Sequence, residues 1–128
     1  MSPRVLLVDD SRTMRQVLRV YLMGGRYELA EADCGRAALE LVMSGNVDLV
    51  VADVRMADMD GIELTRAVRA SEATLGRRVP IVLITGERSE TLRGRGLEAG
   101  ADDLLFKPLS SEILVEVVTR LLRAQDKA

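Results

Sequence analysis

The chain has 128 residues, a length that suits one domain with a single sizeable core. Hydrophobic residues make up 48% of it and aromatics only 2%, so the core is expected to be assembled from Leu, Val, Ile, Ala and Met. A formal net charge of −2 supplies no global positive field of the kind that draws proteins onto phosphate backbones, which excludes direct nucleic-acid binding as the expected role.

Histidine is absent, so no histidine nucleophile, general base, metal ligand or phosphohistidine belongs to this chain. Cys34 stands alone, which excludes an intramolecular disulfide, fits a reducing compartment and reads as a small buried thiol. The apolar start from Val5 to Val8 is cut short by Asp9 and Asp10, so no leader or membrane segment is expected and the cytoplasm is the expected location. Of the 18 basic residues all but two are Arg, and Lys107 is the one interior lysine. That choice marks a position suited to a compact ammonium and not to a planar fork.

In chain order, Arg4 to Val8 reads as a buried strand ending on the pair Asp9-Asp10. Ser11 offers an N-cap, and Met14, Val17, Leu18, Tyr21 and Leu22 recur at helical spacing until Gly24-Gly25. Tyr27 to Ala32 alternates as a half-exposed strand near an edge, and a short helix follows from about Gly35 to Met43. Leu49 to Ala52 is a second continuous apolar run, and it delivers one carboxylate, Asp53, to the point where turn-forming residues begin. After Asp60-Gly61 a third helix turns Leu64, Ala67 and Val68 inward, and residues 70–78 read as a polar connection. Pro80 opens a fourth strand that closes on Thr85-Gly86. The helix expected from Glu87 to Gly100 is the weakest, since Gly94 and Gly96 each cost about 1 kcal/mol relative to Ala. Asp103 to Phe106 makes a short fifth strand stopped by Lys107-Pro108, and the last helix, from about Ser111 to Ala124, carries Ile113, Leu114, Val117, Val118, Leu121 and Leu122 as one apolar stripe. Five strands alternating with five helices imply an α/β fold, a parallel sheet covered on both faces.

In such a sheet the strand ends share one edge, so Asp9, Asp10, Asp53, Thr85 and Lys107 should converge there. Three neighbouring carboxylates remain ionised only beside a compensating cation. Hard oxygen donors with open positions suit Mg²⁺, which keeps several waters and also binds phosphate oxygens. Two letter patterns are set aside. Gly94-x-Gly96-x-x-Ala99 lies late in a helix instead of at a strand-to-helix turn, and MADMDG lacks the first and twelfth ligands of a calcium loop, where Met56 and Ala67 stand.

The sequence VDDS, then Asp53 followed by MADMDG, then LITG, then GADDLLFKP resembles the response-regulator receiver domain over essentially the whole chain, with a weaker similarity of DDSRTMRQVLR to chemotaxis-type regulators. The resemblance implies a flavodoxin-like three-layer sandwich with strand order 2-1-3-4-5 and five helices. It implies that Asp53 is the phosphoacceptor, taking a phosphoryl group from a phosphohistidine on a sensor histidine kinase or phosphotransfer protein. Asp10, Asp53 and the backbone carbonyl of Arg55 would hold Mg²⁺, with Asp9 acting mainly through water. Thr85 and Lys107 would each bind a phosphoryl oxygen, and the Lys107-Pro108 peptide would be cis.

The sequence also departs from the family's pattern. Ala57 replaces the usual proline and loosens the loop behind Asp53, and Gly86 replaces the usual alanine. Leu104 stands where the family commonly has the aromatic ring that swings inward on activation, so readout is expected through backbone and helix movement. In the family the positions two after the acceptor and two after the threonine set the lifetime of the phosphate; here they are Arg55 and Glu87, expected to pair across the mouth of the site.

The expected protein is a single receiver domain of residues 1–128 with no output domain in this chain. It catalyses only its own phosphorylation and dephosphorylation and signals to a downstream protein through its fourth helix, fifth strand and fifth helix, as a monomer or a phosphorylation-linked dimer. Alternatives are a receiver cut from a larger regulator, a phosphorylation-independent interaction domain, or an aspartate-nucleophile phosphatase. The last would place a second acid where Arg55 stands.

Overall fold

The computed structural model describes residues 2–126. Strands β1 (Arg4–Val8), β2 (Glu28–Ala32), β3 (Leu49–Asp53), β4 (Ile81–Thr85) and β5 (Asp103–Phe106) pair in parallel in the order β2-β1-β3-β4-β5. Helices α1 (Arg12–Leu22), α2 (Gly35–Met43), α3 (Gly61–Ala70), α4 (Glu72–Leu75), α5 (Glu90–Ala99) and α6 (Ser111–Asp126) connect and cover them. The last two residues of the C-terminal QDKA lie outside the described residues.

Alternation along each strand sorts the core into two layers. Val5, Leu7, Leu49, Val51, Val82 and Ile84 pack with Leu18 and Leu22 of α1 and with Leu114, Val117 and Val118 of α6. Leu6, Val8, Val50, Ala52, Ile81 and Leu83 pack on the other face with residues of α2, α3 and α5. Burying each of the Val, Leu and Ile side chains contributes about 1.5–3 kcal/mol relative to leaving it exposed, which sets β1, β3 and β4 firmly at the centre. Their carboxyl ends therefore have little freedom to move.

Several expectations change. Among the described residues the helices number six, because residues 70–78 contain the single turn α4, closed by Gly76 at φ 80°. Four residues are too few to show a helical period, so only the docking of Leu75 on the core reveals the turn. On α3, Ile62 and Thr65 are buried as well, the Thr65 hydroxyl donating to the Gly61 carbonyl at 2.8 Å. Ile113 is 49% exposed, since Leu114, Val117, Val118 and Leu121 already fill the inward stripe of α6 and Ile113 lies one residue before it. Cys34 is half-buried, not buried, because it serves as the N-cap of α2, its Sγ accepting from the Ala37 amide at 3.5 Å.

Helix α5 begins later than expected, at Glu90, with the Ser89 hydroxyl accepting from the Leu92 amide at 3.1 Å. Its two internal glycines differ. A Cβ on Gly94 would meet nothing within 4 Å, whereas one on Gly96 would lie 3.0 Å from Leu104 Cδ1 and 3.2 Å from Leu83 Cδ1. Gly96 is what lets α5 settle onto the sheet.

Candidate functional site

Four neighbouring strand ends supply the site. Asp9 follows β1, Asp53 ends β3, Thr85 ends β4 and Lys107 follows β5. The Lys107 ammonium stands 3.5 Å from Asp53 Oδ2. Its own backbone amide donates to the Thr85 carbonyl at 2.8 Å, so β4 and β5 remain linked up to the site. The Lys107-Pro108 peptide is cis, as the family resemblance implied. Thr85 is buried, and its Oγ1 accepts from the Glu87 amide at 3.1 Å, which leaves its hydroxyl proton available to another acceptor.

Asp9 is 2% exposed, with Oδ1 accepting from the Ser11 amide at 2.8 Å. Burial pushes its carboxyl up to about 6 against the Ser11 hydrogen bond; the Asp53 and Asp10 charges add to the rise, and Lys107 opposes it. Three carboxylates, Asp9, Asp10 and Asp53, stand at this edge with one ammonium, Lys107, so negative charge is in formal surplus. Asp10 is exposed at the rim, on a polar cleft of about 430 Å³ that also takes in Arg55, Asp58, Asp60, Glu63 and Arg95. Among the described residues no three acid side chains are gathered closely enough to hold a metal by themselves, so the expected three-carboxylate cluster is looser than the sequence suggested. An open set of hard oxygens with surplus negative charge fits Mg²⁺, which uses one or two protein carboxylates and keeps waters.

Beyond Asp53 the chain is tied down at three points. Gly61 donates to the Val54 carbonyl at 2.8 Å and lies so close to Asp53 that a Cβ would meet its carbonyl oxygen at 2.5 Å. Asp60 and Glu63 close a capping box at the start of α3. Asp58 accepts from the amides of Gly35 and Arg36, each at 3.1 Å, capping α2 from a distant part of the chain; the Arg36 amide leads in holding its carboxyl below the usual range. Ala57 was expected to leave this loop loose, and Asp58 anchors it instead. The Arg55 guanidinium meets the Glu87 carboxylate across the mouth, as the charges suggested, and both are exposed. Leu104 is fully buried beneath Gly96, so no side chain there is poised to swing.

Two residues of the site's surroundings were not singled out from the sequence. Asp58 sat inside a pattern rejected as a calcium loop, and Arg15, which donates to the Asp9 carbonyl at 2.7 Å, was one exposed-looking arginine among many. Neither carries a local signal, because both partners are distant in sequence or are backbone atoms.

Residues 5–119 match the family model described as the response regulator receiver domain. The transcriptional regulatory protein SrrA of Staphylococcus aureus is 37% identical over 123 residues, which is 96% of this chain and 49% of SrrA. The chain thus spans about half the length of the curated relatives it matches. The chemotaxis response regulator CheY4 of Vibrio cholerae superposes with a TM-score of 0.83 at 33% identity, covering 94% of this chain and 99% of that one. The receiver domain of the Saccharomyces cerevisiae response regulator Ssk1, solved in complex with the histidine phosphotransfer signaling protein Ypd1, was matched with a TM-score of 0.87 at 25% identity, covering 97% and 91%.

Proposed function

This chain belongs to the response regulator receiver domain family, and from that premise we propose that Asp53 accepts a phosphoryl group from a phosphohistidine on a sensor histidine kinase or phosphotransfer protein. The observation that carries this reading is the pairing of a half-buried Asp53 carboxylate with the Lys107 ammonium at 3.5 Å, beside buried Asp9 and buried Thr85. The Ypd1–Ssk1 pairing of a related receiver supports the class of donor.

An oxygen of Asp53 attacks phosphorus, a P–O bond forming as the P–N bond breaks and its electron pair returns to the departing imidazole. The transition state is loose, with charge spread over three phosphoryl oxygens, so it needs neutralising positive charge more than acid–base groups. Lys107 supplies one such charge, and the Thr85 hydroxyl donates to another oxygen. Asp10, Asp53 and the Arg55 carbonyl, with Asp9 behind them, would hold Mg²⁺, which when bound supplies the remaining positive charge. The chain thereby catalyses its own phosphorylation and, through water, its own dephosphorylation, with Arg55 and Glu87 over the mouth governing access.

Because Thr85 Oγ1 also accepts from Glu87, drawing Thr85 toward a phosphoryl group moves the segment leading into α5. The face of α5, β5 and α6, where Leu97 and Ile113 stand exposed, then meets a downstream protein or a second phosphorylated copy. No described helix is long and apolar enough to cross a membrane, and a lone cysteine suits the cytoplasm as the place of action.

Intact mass after incubation with acetyl phosphate and Mg²⁺ tests the reading. One phosphoryl group should be gained by the wild type and none by Asp53→Asn or in the presence of a chelator. An unmodified wild type, or a modified Asp53→Asn, would overturn it.

A further inference from the structure

The Asp9-Asp10 turn is held from outside the site. The Asp9 amide donates to the Ala32 carbonyl at 3.2 Å, and its carbonyl accepts from Arg15 Nη1 at 2.7 Å. Asp10 has no side-chain hydrogen bond among the described residues, so the direction of its carboxylate depends on the peptide plane that joins it to Asp9. That plane is what Arg15 grips. The guanidinium is itself fixed, with Nε donating to Glu31 Oε1 at 2.9 Å on the edge strand β2. The second oxygen of Glu31 accepts from Arg19 Nε at 3.0 Å and Nη2 at 2.8 Å. The Arg15 side chain is only 15% exposed and Glu31 27%, so this linkage is shielded and is not a solvated surface pair.

We infer that Arg15, braced by Glu31 and Arg19, is a positioning residue that orients the Asp9-Asp10 peptide and thereby sets the affinity of the acid pair for a divalent cation. The inference rests on the proposed reading of that pair as the Mg²⁺ site. A planar guanidinium reaches a carbonyl and a carboxylate in two directions at once, which an ammonium on a flexible stem does not reproduce. Outer partners that fix the direction of metal ligands typically matter by 10- to 100-fold in affinity.

The test is Mg²⁺ titration of the unphosphorylated protein followed by amide NMR shifts, with melting in chelator recorded for each variant. Arg15→Met should weaken Mg²⁺ binding roughly tenfold, with Arg15→Lys and Glu31→Gln weakened in the same direction. Arg69→Lys, at a half-buried arginine at the other end of the sheet, serves as the control that melts earlier without any change in Mg²⁺ affinity. If Arg15→Met does not fold, Arg15→Lys and Glu31→Gln decide the matter alone. Wild-type affinity in the folded variants would overturn the inference while leaving the Mg²⁺ site intact. A wild type that shows no saturable Mg²⁺ binding would overturn the site reading, and the inference with it.

Discussion

Asp9 shows what it costs one side chain to be installed for chemistry. Its carboxyl is nearly inaccessible and is pushed up to about 6, first by burial and then by the charges of Asp53 and Asp10. A folded-state value raised above the ordinary one contributes stability that is complete below about pH 4 and is lost as pH climbs through 6. In chelator, Asp9→Asn should therefore match the wild type near pH 4 and exceed it at pH 7 by about 2–3 kcal/mol, as read by urea denaturation at each pH. A difference that does not change with pH would refute the assignment of the strain to this carboxyl. Added Mg²⁺ should narrow the gap at pH 7 by stabilising the wild type alone. Asp9, Asp53, Thr85 and Lys107 were legible in the sequence because each stands where an apolar run stops. The role of Asp58 was not, since its partners are the amides of Gly35 and Arg36 more than twenty residues earlier.

Helix α5 illustrates how packing revises a reading of propensity. Its glycines looked equally weakening, yet only Gly94 is free of neighbours. Gly94→Ala should raise stability by about 0.5–1 kcal/mol. Gly96→Ala should give no such gain and should lose about 1–3 kcal/mol, because the methyl group presses on Leu104 and Leu83, both fully buried. Equal responses to the two substitutions in denaturant titrations would show that α5 is not seated on the sheet in this way. The same tight seat explains why Leu104 can replace an aromatic ring: the space over it is filled by backbone. Ahead of α5, the contact between Glu87 and Arg55 joins two exposed groups, so Glu87→Ala should change stability by less than about 1 kcal/mol. Loss of the aspartyl phosphate should nonetheless quicken several-fold, a barrier change on the order of 1 kcal/mol, when followed by intact mass after acetyl phosphate is removed. An unaltered decay would show that the pair does not restrict water.

Over the whole molecule, Arg69 makes four of the ties at the end of the sheet opposite the site. Arg69 on α3 donates to the Gly100 carbonyl at 2.9 Å, the Val79 carbonyl at 2.7 Å, Glu72 at 2.8 Å and Asp102 at 3.0 Å. It thus joins α3, α4, the end of α5 and the starts of β4 and β5. Arg69→Met leaves half-buried Asp102 facing one fewer cation, the Val79 carbonyl without its arginine donor and the Gly100 carbonyl with only the longer contact from Arg78, so a loss of about 2–4 kcal/mol is expected, with hydrogen exchange quickening first around Gly100. A loss below about 1 kcal/mol would show that Arg78, which also meets Asp102, suffices. By itself the sequence determined the number and direction of the strands, the two-layered core and the acids, threonine and lysine at the strand ends. Those follow from the alternation of apolar and polar residues and from where each apolar run stops, which are local facts. Only the tertiary structure decided that Arg15 grips the Asp9-Asp10 peptide, that Asp58 caps α2, that Gly96 seats α5 over Leu104 and that Arg69 ties the far end together. None of these contacts follows from a local alternation or helical period, because each depends on how neighbouring elements pack, and the partners meet only once the sheet has brought them within reach.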